Sequence, residues 1–446
     1  MIEVLIPDNN TPEREYALHV LLRAYLGLDY VVHTSTDQSD YTLNINGRIL
    51  RINDAFFGEY PEERSYLNAD HIPVDSIQCS SSGLEGVQLL FGEDKLVQSN
   101  TMYCGVDIFA SSFFMLTRWE EFVIKEWDEH GRFPSSSSLA CKSGFVRRPV
   151  VNAYAALLRK LLIEAGVQKD SFKKHAYRLT LTVDVDFPRH WKPGAHVLKK
   201  LFGTALRTGS VRATRDKLAS FREYQQSGDD TYDTFDFLMD SAEANDQKAY
   251  FFFMTDGSHK LDPGNKLEEP DTLEIARRIV ERGHICGIHP SYAASTDPNI
   301  FNAEVDQYAA LMGERPQYGR QHYLRFEVPE TWRLWEDIGA KWESSMAYSD
   351  EIGFRCGTCY PFPVFDILER RMLSLVEKPL IVMDVALRHH MKLSPDEAVV
   401  ACEEVRAEVE KYDGEFVVLW HNSSFGEEEW PGWDRVLGAL CEISVD

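Results

Sequence analysis

Two aspartates stand one residue apart at the end of a predicted β-strand, in the segment LTLTVDVDFP (179–188). Apolar and β-branched residues alternate along this segment, which is typical of a strand. Because strand side chains alternate between two faces, Asp184 and Asp186 point the same way. Two like charges this close repel each other unless a positive charge lies near them. The pair therefore predicts a cation or a cationic side chain beside it.

Polar groups also follow the other predicted strands of the C-terminal part. In α/β barrels, the loops at the carboxyl ends of the strands build the active site. Several such groups on one rim are a stronger functional signal than any one of them. These groups are Thr255, Asp256, His289, Arg320, His322, Arg325, Ser345, Asp350 and His421.

Aspartate and histidine are ligands of zinc and related divalent ions. In a hydrolytic site, one aspartate binds the ion and the other stays free as a base. Zinc lowers the pKa of bound water to about 7, and a neighbouring carboxylate takes the proton. A histidine on the opposite wall protonates the leaving group, and an arginine keeps the base ionised. Together these residue types predict hydrolysis of an amide or an ester.

From Tyr177 onward, short apolar runs alternate with amphipathic helices, a pattern typical of βαβ units around a parallel sheet. Seven strands, each buried on both faces, predict a distorted seven-stranded (β/α) barrel over residues 177–446. The predicted strands are 178–185, 248–254, 284–288, 317–323, 340–345, 379–387 and 415–420. The predicted helices between them are 271–282, 301–312, 330–338, 363–375 and 395–411.

Residues 1–172 show mixed strand and helix signals and predict a smaller α+β domain, whose role the sequence leaves open. The segment YTLNINGRILRIND predicts a hairpin that turns at Asn46-Gly47. The segment RPVVNAYAALLRKLLIEAG predicts an amphipathic helix that ends at Gly166. A helical insertion at about 187–247 interrupts the first crossover of the barrel. Its basic residues, including Lys199, Lys200 and Arg207, indicate either a solvated face or a flap that attracts an anionic group.

Composition excludes several classes of function. A net charge of −24 disfavours nucleic acid, whose phosphates the protein would repel, and anionic membrane surfaces. No apolar run approaches the roughly 18 residues of a membrane span, and the N-terminus lacks the features of a signal peptide. A cytoplasmic location is therefore expected, with the oligomeric state left open. The eight scattered cysteines, including the C-x-x-C pair Cys356 and Cys359, predict reduced packing thiols.

The order of the motifs resembles that of the polysaccharide deacetylases, the carbohydrate esterase family four with its NodB-type domain. The matching segments are TVDVD, AYFFFMTDG, GHICGIH, YGRQHYLRF and the late LWH of residues 419–421. The resemblance covers about residues 177–446. The segments SSFFMLTRWEEF and DEHGRF resemble an extra domain that precedes such deacetylase modules in some bacteria.

The resemblance implies a role for each matching residue. Asp184 corresponds to the catalytic base, and Asp186 and His289 correspond to metal ligands. Arg320 corresponds to the arginine of the third motif, and His421 to the general acid. The expected metal is zinc, with nickel, cobalt or iron as alternatives.

One position departs from the family pattern. The family has a second metal histidine four residues after the first, where this chain has Ala293. Either His322 replaces it, or two protein ligands hold the ion weakly, or the metal is lost and the protein only binds carbohydrate. The family's acidic residue that tunes a catalytic partner corresponds to Asp350 or Asp384, and the sequence does not distinguish them.

Aromatic and basic side chains near the same rim are expected to contact a sugar. These are Tyr323, Arg325, Arg355 and Trp420. The sequence therefore predicts a metal-dependent hydrolase that removes an N- or O-acetyl group from a carbohydrate. A two-carboxylate glycosidase is disfavoured, because residues i and i+2 on one strand cannot flank a glycosidic bond.

Overall fold

The computed structural model describes residues 2–99, 101–191, 211–257, 259–426 and 429–442. Within these residues, the N-terminal part has eight strands, β1 (Ile2–Pro7), β2 (Tyr30–Ser35), β3 (Tyr41–Ile45), β4 (Arg48–Ile52), β5 (Ile77–Gln78), β6 (Gln88–Leu89), β7 (Gly92–Val97) and β8 (Thr101–Val106). Its α-helices are α1 (Thr11–Leu18), which continues as a π-helical segment (His19–Tyr25), α2 (Ile108–Thr117), α3 (Trp119–Val123), α4 (Leu139–Lys142) and α5 (Val150–Glu164).

Six of these strands form a mixed sheet in the order β2-β1-β3-β4-β8-β7. The predicted hairpin is confirmed as β3 and β4, which pair antiparallel from Tyr41 and Ile52 to Ile45 and Arg48. Asn46 and Gly47 both have positive φ, 51° and 88°, as a two-residue type I′ turn requires. The predicted amphipathic helix is confirmed as α5.

The described residues of the C-terminal part form nine strands, β9 (Arg178–Val185), β10 (Tyr250–Phe253), β11 (Ile285–Ile288), β12 (Tyr318–Gly319), β13 (Trp342–Glu343), β14 (Phe362–Asp366), β15 (Arg371–Glu377), β16 (Val382–Met383) and β17 (Glu415–His421). Its helices are α6 (Val211–Ser227), α7 (Phe235–Glu243), α8 (Pro270–Glu281), α9 (Pro298–Met312), α10 (Glu330–Asp337), α11 (Pro395–Glu410) and α12 (Trp433–Leu440).

These nine strands form one sheet in the order β14-β15-β13-β12-β11-β10-β9-β17-β16. Every pairing is parallel except that of β14 with β15. A strand occurs at each of the seven predicted positions, which confirms a mixed α/β fold with a parallel sheet. The seven-stranded barrel is not confirmed, because two further strands join the sheet and no pairing links β16 to β14 within the described residues.

The predicted helix over 363–375 is wrong, since this segment forms the β14–β15 hairpin. The carboxylate of Asp366 accepts hydrogen bonds from the backbone N–H groups of Leu368 and Glu369, at 2.9 and 2.8 Å. This side-chain turn, followed by Arg370 at a φ of 55°, ends the strand and reverses the chain. Along β15, burial alternates with the period of two that a strand requires.

Close packing of β11 against β12 brings two of the candidate site residues together. A Cβ atom on Gly319 would lie 2.2 Å from the carbonyl O of Ile288, and one on Gly287 would lie 2.4 Å from that of Tyr318. Only glycine permits this backbone approach. His289 and Arg320, which follow the two strands, therefore meet at the same edge of the sheet.

Three further sequence predictions concern the chain as a whole. Residues 192–210 of the predicted insertion, which include Lys199, Lys200 and Arg207, lie outside the described residues. All eight cysteines are free thiols, and Cys356 and Cys359 are buried, as predicted. Among the described helices, none combines the length and the apolar character needed to cross a membrane.

Candidate metal centre

Asp186, His289 and His322 converge beyond the carboxyl ends of β9, β11 and β12. One potential ligand atom from each lies within 4.8 Å of the others. The Oδ1 atom of Asp186 is 3.5 Å from His289 Nε2 and 3.9 Å from His322 Nε2. The three side chains that the sequence predicts as metal ligands, including the replacement for the missing histidine, are therefore brought together.

The state of each side chain fits a divalent cation. Asp186 Oδ1 is buried and has no hydrogen-bond partner among the described residues. The Nδ1 atom of His289 lies 2.7 Å from the carbonyl O of Arg320, an acceptor only, so Nδ1 carries the proton and Nε2 is free to bind a metal. Burial also lowers the pKa of His289, although Asp184 and Asp186 oppose this shift. One carboxylate and two imidazoles are a ligand set that suits zinc.

Asp262 holds the third ligand in place, and sequence reasoning missed it. Its Oδ1 atom lies 3.0 Å from His322 Nδ1 and accepts the backbone N–H of Tyr292 at 2.9 Å. Burial tends to raise the pKa of Asp262, but the hydrogen bonds that its carboxylate accepts, the one from His322 foremost, together lower it. Asp262 precedes Pro-Gly in a loop after β10, a context typical of an ordinary turn, so the sequence carries no signal for this contact.

Asp184 lies beside this cluster and is paired with Arg320. Arg320 Nη1 donates to Asp184 Oδ1 at 2.8 Å, while Nη2 donates to Thr182 and Nε to the carbonyl O of Ser344. Burial tends to raise the pKa of Asp184, but Arg320 foremost, together with His289 and His421, lowers it. The second oxygen of Asp184 is 3.7 Å from His289 Nε2, so an ionised carboxylate faces the cluster.

His421, the last residue of β17, lies opposite Asp184 in the pairing of β17 with β9 and close to Asp186. Its Nδ1 is 2.9 Å from Asp384 Oδ1, and its Nε2 is 3.8 Å from Asp186 Oδ2. Burial lowers the pKa of His421, but the carboxylates, Asp384 foremost, raise it to about 10. Of the two acidic residues that the sequence left open, Asp384 is therefore the partner of His421, while Asp350 accepts a hydrogen bond from Ser135 at 2.9 Å.

These groups line one cavity of about 320 Å³, near the lower end of the range for small-molecule sites. Leu261, Met383 and Leu419 supply apolar surface beside these polar groups. A larger groove of about 500 Å³ near Lys173 and Tyr360 contains none of the candidate site residues. The smaller cavity is the one lined by the candidate site residues.

Of the four predicted substrate contacts, only Tyr323 lines this cavity. Arg325 donates to the carbonyl O of His130 at 2.8 Å and to that of Tyr292. Its guanidinium is therefore bound to the backbone of residues next to the cavity and does not line it. The prediction for Trp420 is wrong. Side chains of β17 alternate between its faces, so Trp420 points away from the cavity that Leu419 and His421 line, and it is fully buried.

The prediction for Arg355 is also wrong. Its side chain is 2% exposed, and its Nε and Nη2 atoms donate to the carboxylate of Glu121 at 2.9 and 2.5 Å. The Nη1 atom donates to the carbonyl O of Ala347 at 2.7 Å. Arg355 therefore joins the two parts of the chain, because Glu121 belongs to α3 of the N-terminal part. Similarly, Asp256 pairs with Lys266 at 3.0 Å instead of joining the site.

Sequence reasoning also missed a contribution from the N-terminal part. Glu129, His130 and Arg132, from the DEHGRF segment, line the cavity opposite the strand ends. Phe187 and His390 complete this outer wall. The only signal in the sequence was the weak resemblance of DEHGRF to an accessory domain, which assigns it no role.

Comparisons with known proteins relate parts of the chain to a protein family and to a solved structure. A protein-family model described as a family of unknown function (DUF7033) matches residues 2–166. A comparison with curated proteins found no match. Among solved structures, the chain is similar to a candidate polysaccharide deacetylase from Mycobacterium smegmatis, with 14% identity and a TM-score of 0.36 over 60% of this chain and 85% of that one. This likeness is too distant to carry a functional assignment.

Proposed function

We propose that the protein is a metal-dependent carbohydrate deacetylase. The observation that carries this proposal is the convergence, in one cavity, of three potential ligands with two further titratable groups that are not needed as ligands. Asp184 is paired with Arg320, and His421 is paired with Asp384. A site that keeps one group ionised as a base and another protonated as an acid is typical of hydrolysis.

A divalent cation held by Asp186, His289 and His322 would polarise the acyl carbonyl and make water more acidic. Asp184 is the base in this proposal. Its Oδ1 is held by Arg320, and Oδ2 is left to accept a proton from the water that attacks the carbonyl carbon. Because Arg320 keeps the carboxylate ionised, Asp184 is ready to act at neutral pH.

His421 is the acid in this proposal. Since Asp384 holds its Nδ1, the Nε2 atom faces the cavity and carries the second proton of the imidazolium. The raised pKa favours this protonated form. When the carbon–nitrogen or carbon–oxygen bond of the acetyl group breaks, Nε2 gives its proton to the leaving amine or alkoxide, and acetate remains.

The mixture of side chains that line the cavity supports a sugar as the substrate. Tyr323 and Phe187 offer aromatic surface, while His130 and Arg132 offer polar groups. Sugar rings combine an apolar face with hydroxyl groups and match such a mixture. The alternative, a carbohydrate-binding protein without a metal, was motivated by Ala293, and the proximity of His322 to the other two ligands favours the enzyme.

Removal and return of the metal tests this proposal. We expect chelator-treated protein to release no acetate from a panel of N- and O-acetylated sugars, because the acyl carbonyl is then not polarised. Adding zinc, nickel, cobalt or iron one at a time should restore acetate release as one equivalent binds. Full activity without metal would contradict the proposal. Sugar binding without acetate release, by protein that takes up none of these metals, would support the binding-protein alternative.

A further inference from the structure

The loop Asp128–Arg132 belongs to the N-terminal part and ends at the cavity. The carboxylate of Asp128 organises it, accepting the backbone N–H groups of His130 at 2.8 Å and of Arg132 at 2.9 Å. The Nε atom of Arg132 donates to the same carboxylate at 2.7 Å. The loop is therefore a preformed turn that presents Arg132 toward the C-terminal part.

The segment opposite this loop is strained and carries a proposed metal ligand. Directly after His322, Tyr323 has φ 62° and ψ 10°, and Leu324 has a φ of 54°. Large side chains rarely adopt this left-handed conformation, which is strained for them. Such a turn persists only where surrounding contacts hold it, so the position of His322 depends on those contacts.

The loop supplies several of these contacts. Arg132 Nη1 donates to the carbonyl O of Tyr323 at 3.1 Å, and its guanidinium lies 6.0 Å from the centre of the tyrosine ring. The ring of His130 lies 4.7 Å from the same tyrosine ring. Arg325, one residue beyond the strained pair, donates to the carbonyl O of His130 at 2.8 Å. The strained turn is therefore held from the N-terminal side at its backbone and its side chain.

We propose that Arg132 is a positioning residue for the metal ligand His322, which it holds through the backbone of Tyr323. This inference rests on the proposed metal site. It gives the N-terminal part, of which residues 2–166 match a family of unknown function, a role in building that site. Asp262 fixes the imidazole of His322, and Arg132 fixes the backbone that carries it. The metal centre is then incomplete without the N-terminal part.

The full-length Arg132→Gln variant tests this role. Loss of groups that support a metal ligand through hydrogen bonds typically weakens metal binding 10- to 100-fold, and we expect a loss of about tenfold in zinc affinity. Arg147→Gln is the matched control. Arg147 also links the two parts of the chain, through Glu351 at 3.0 Å, but does not contact the strained turn. The zinc Kd is measured by competition with a chromophoric chelator, and the Tm of each metal-free variant is recorded alongside.

The expected result is a zinc affinity lowered in Arg132→Gln and unchanged in Arg147→Gln, with closely similar Tm values. Equal zinc affinities in the two variants, with wild-type protein binding zinc, would overturn the role of Arg132 alone. A wild-type protein that binds no zinc would overturn the proposed metal site. If Arg132→Gln does not fold, Arg132→Lys decides the question. Lysine keeps the charge but cannot contact Asp128 and Tyr323 with separate planar donors, so a severalfold loss of affinity is expected and an unchanged affinity overturns the role.

Discussion

Replacing Asp184 with asparagine is expected to lower the rate of acetate release about 100- to 10,000-fold, the usual contribution of a positioned base. Asparagine has the same shape, and its carbonyl O still accepts a hydrogen bond from Arg320. It cannot accept a proton from water at neutral pH. Because Asp184 is not one of the three proposed ligands, zinc should stay bound. Acetate release and bound zinc are measured on the same preparation.

Asp233→Asn provides the matched control for the loss of an arginine-paired carboxylate. Asp233 binds Arg189 and Arg278, the latter at 2.7 Å, and lies outside the cavity. Burial tends to raise the pKa of Asp233, and its two arginine partners lower it, as Arg320 does for Asp184. Acetate release by this variant should stay close to that of wild type. An active Asp184→Asn variant would remove the proposed base.

The second large effect is expected on metal binding. His322→Ala should weaken zinc binding by more than about 100-fold, because a lost ligand costs more than the 10- to 100-fold loss typical of its supporting groups. The substitution also leaves the carboxylate of Asp262 without its imidazole partner. Zinc affinity is measured by competition titration, and Tm reports whether the fold is retained.

His390→Ala controls for the loss of an imidazole from the same cavity. His390 lines the outer wall but is not part of the three-residue cluster. Zinc affinity should therefore stay within about twofold of wild type in this variant. If His322→Ala also keeps its affinity, the ion is held by two protein ligands, Asp186 and His289, and the replacement of the missing family histidine by His322 is wrong.

Local sequence patterns predicted the strand ends and most of the cluster. The alternation in LTLTVDV predicts β9 with its observed bounds, Arg178–Val185. Because the strands of a parallel sheet end at one edge, polar residues that follow them were expected to meet, and Asp186, His289 and His322 do. This reasoning needs only the period of a strand and the direction of the sheet.

Contacts between distant segments were not predictable in this way. Arg355 was expected at the cavity as a basic side chain near the rim, but it pairs with Glu121, 234 residues away in the chain. The Asp262 contact to His322 spans 60 residues. Neither pairing leaves a local pattern. Trp420 is a different case, since its neighbour His421 faces the cavity and the alternation of a strand already places Trp420 on the other face.

The hairpin of β14 and β15 shows a conflict between two local signals. The segment FPVFDILERRMLSLVEK has apolar residues at spacings that also fit a helix, so periodicity alone favours the wrong element. The structure depends on the Asp366 turn, and Arg333 of α10 binds the same carboxylate at 2.8 Å. A contact made by a separate helix thus helps to fix a turn whose own sequence is ambiguous.

The most direct test of the metal centre is anomalous X-ray diffraction from crystals of the zinc-loaded protein. We expect one anomalous peak at about 2.0–2.2 Å from a carboxylate oxygen of Asp186 and from the Nε2 atoms of His289 and His322. Asp184 should remain paired with Arg320 and should not bind the zinc ion directly. A peak bound by other residues, or no peak in the cavity at full zinc loading, would contradict the proposed centre and the hydrolysis that depends on it.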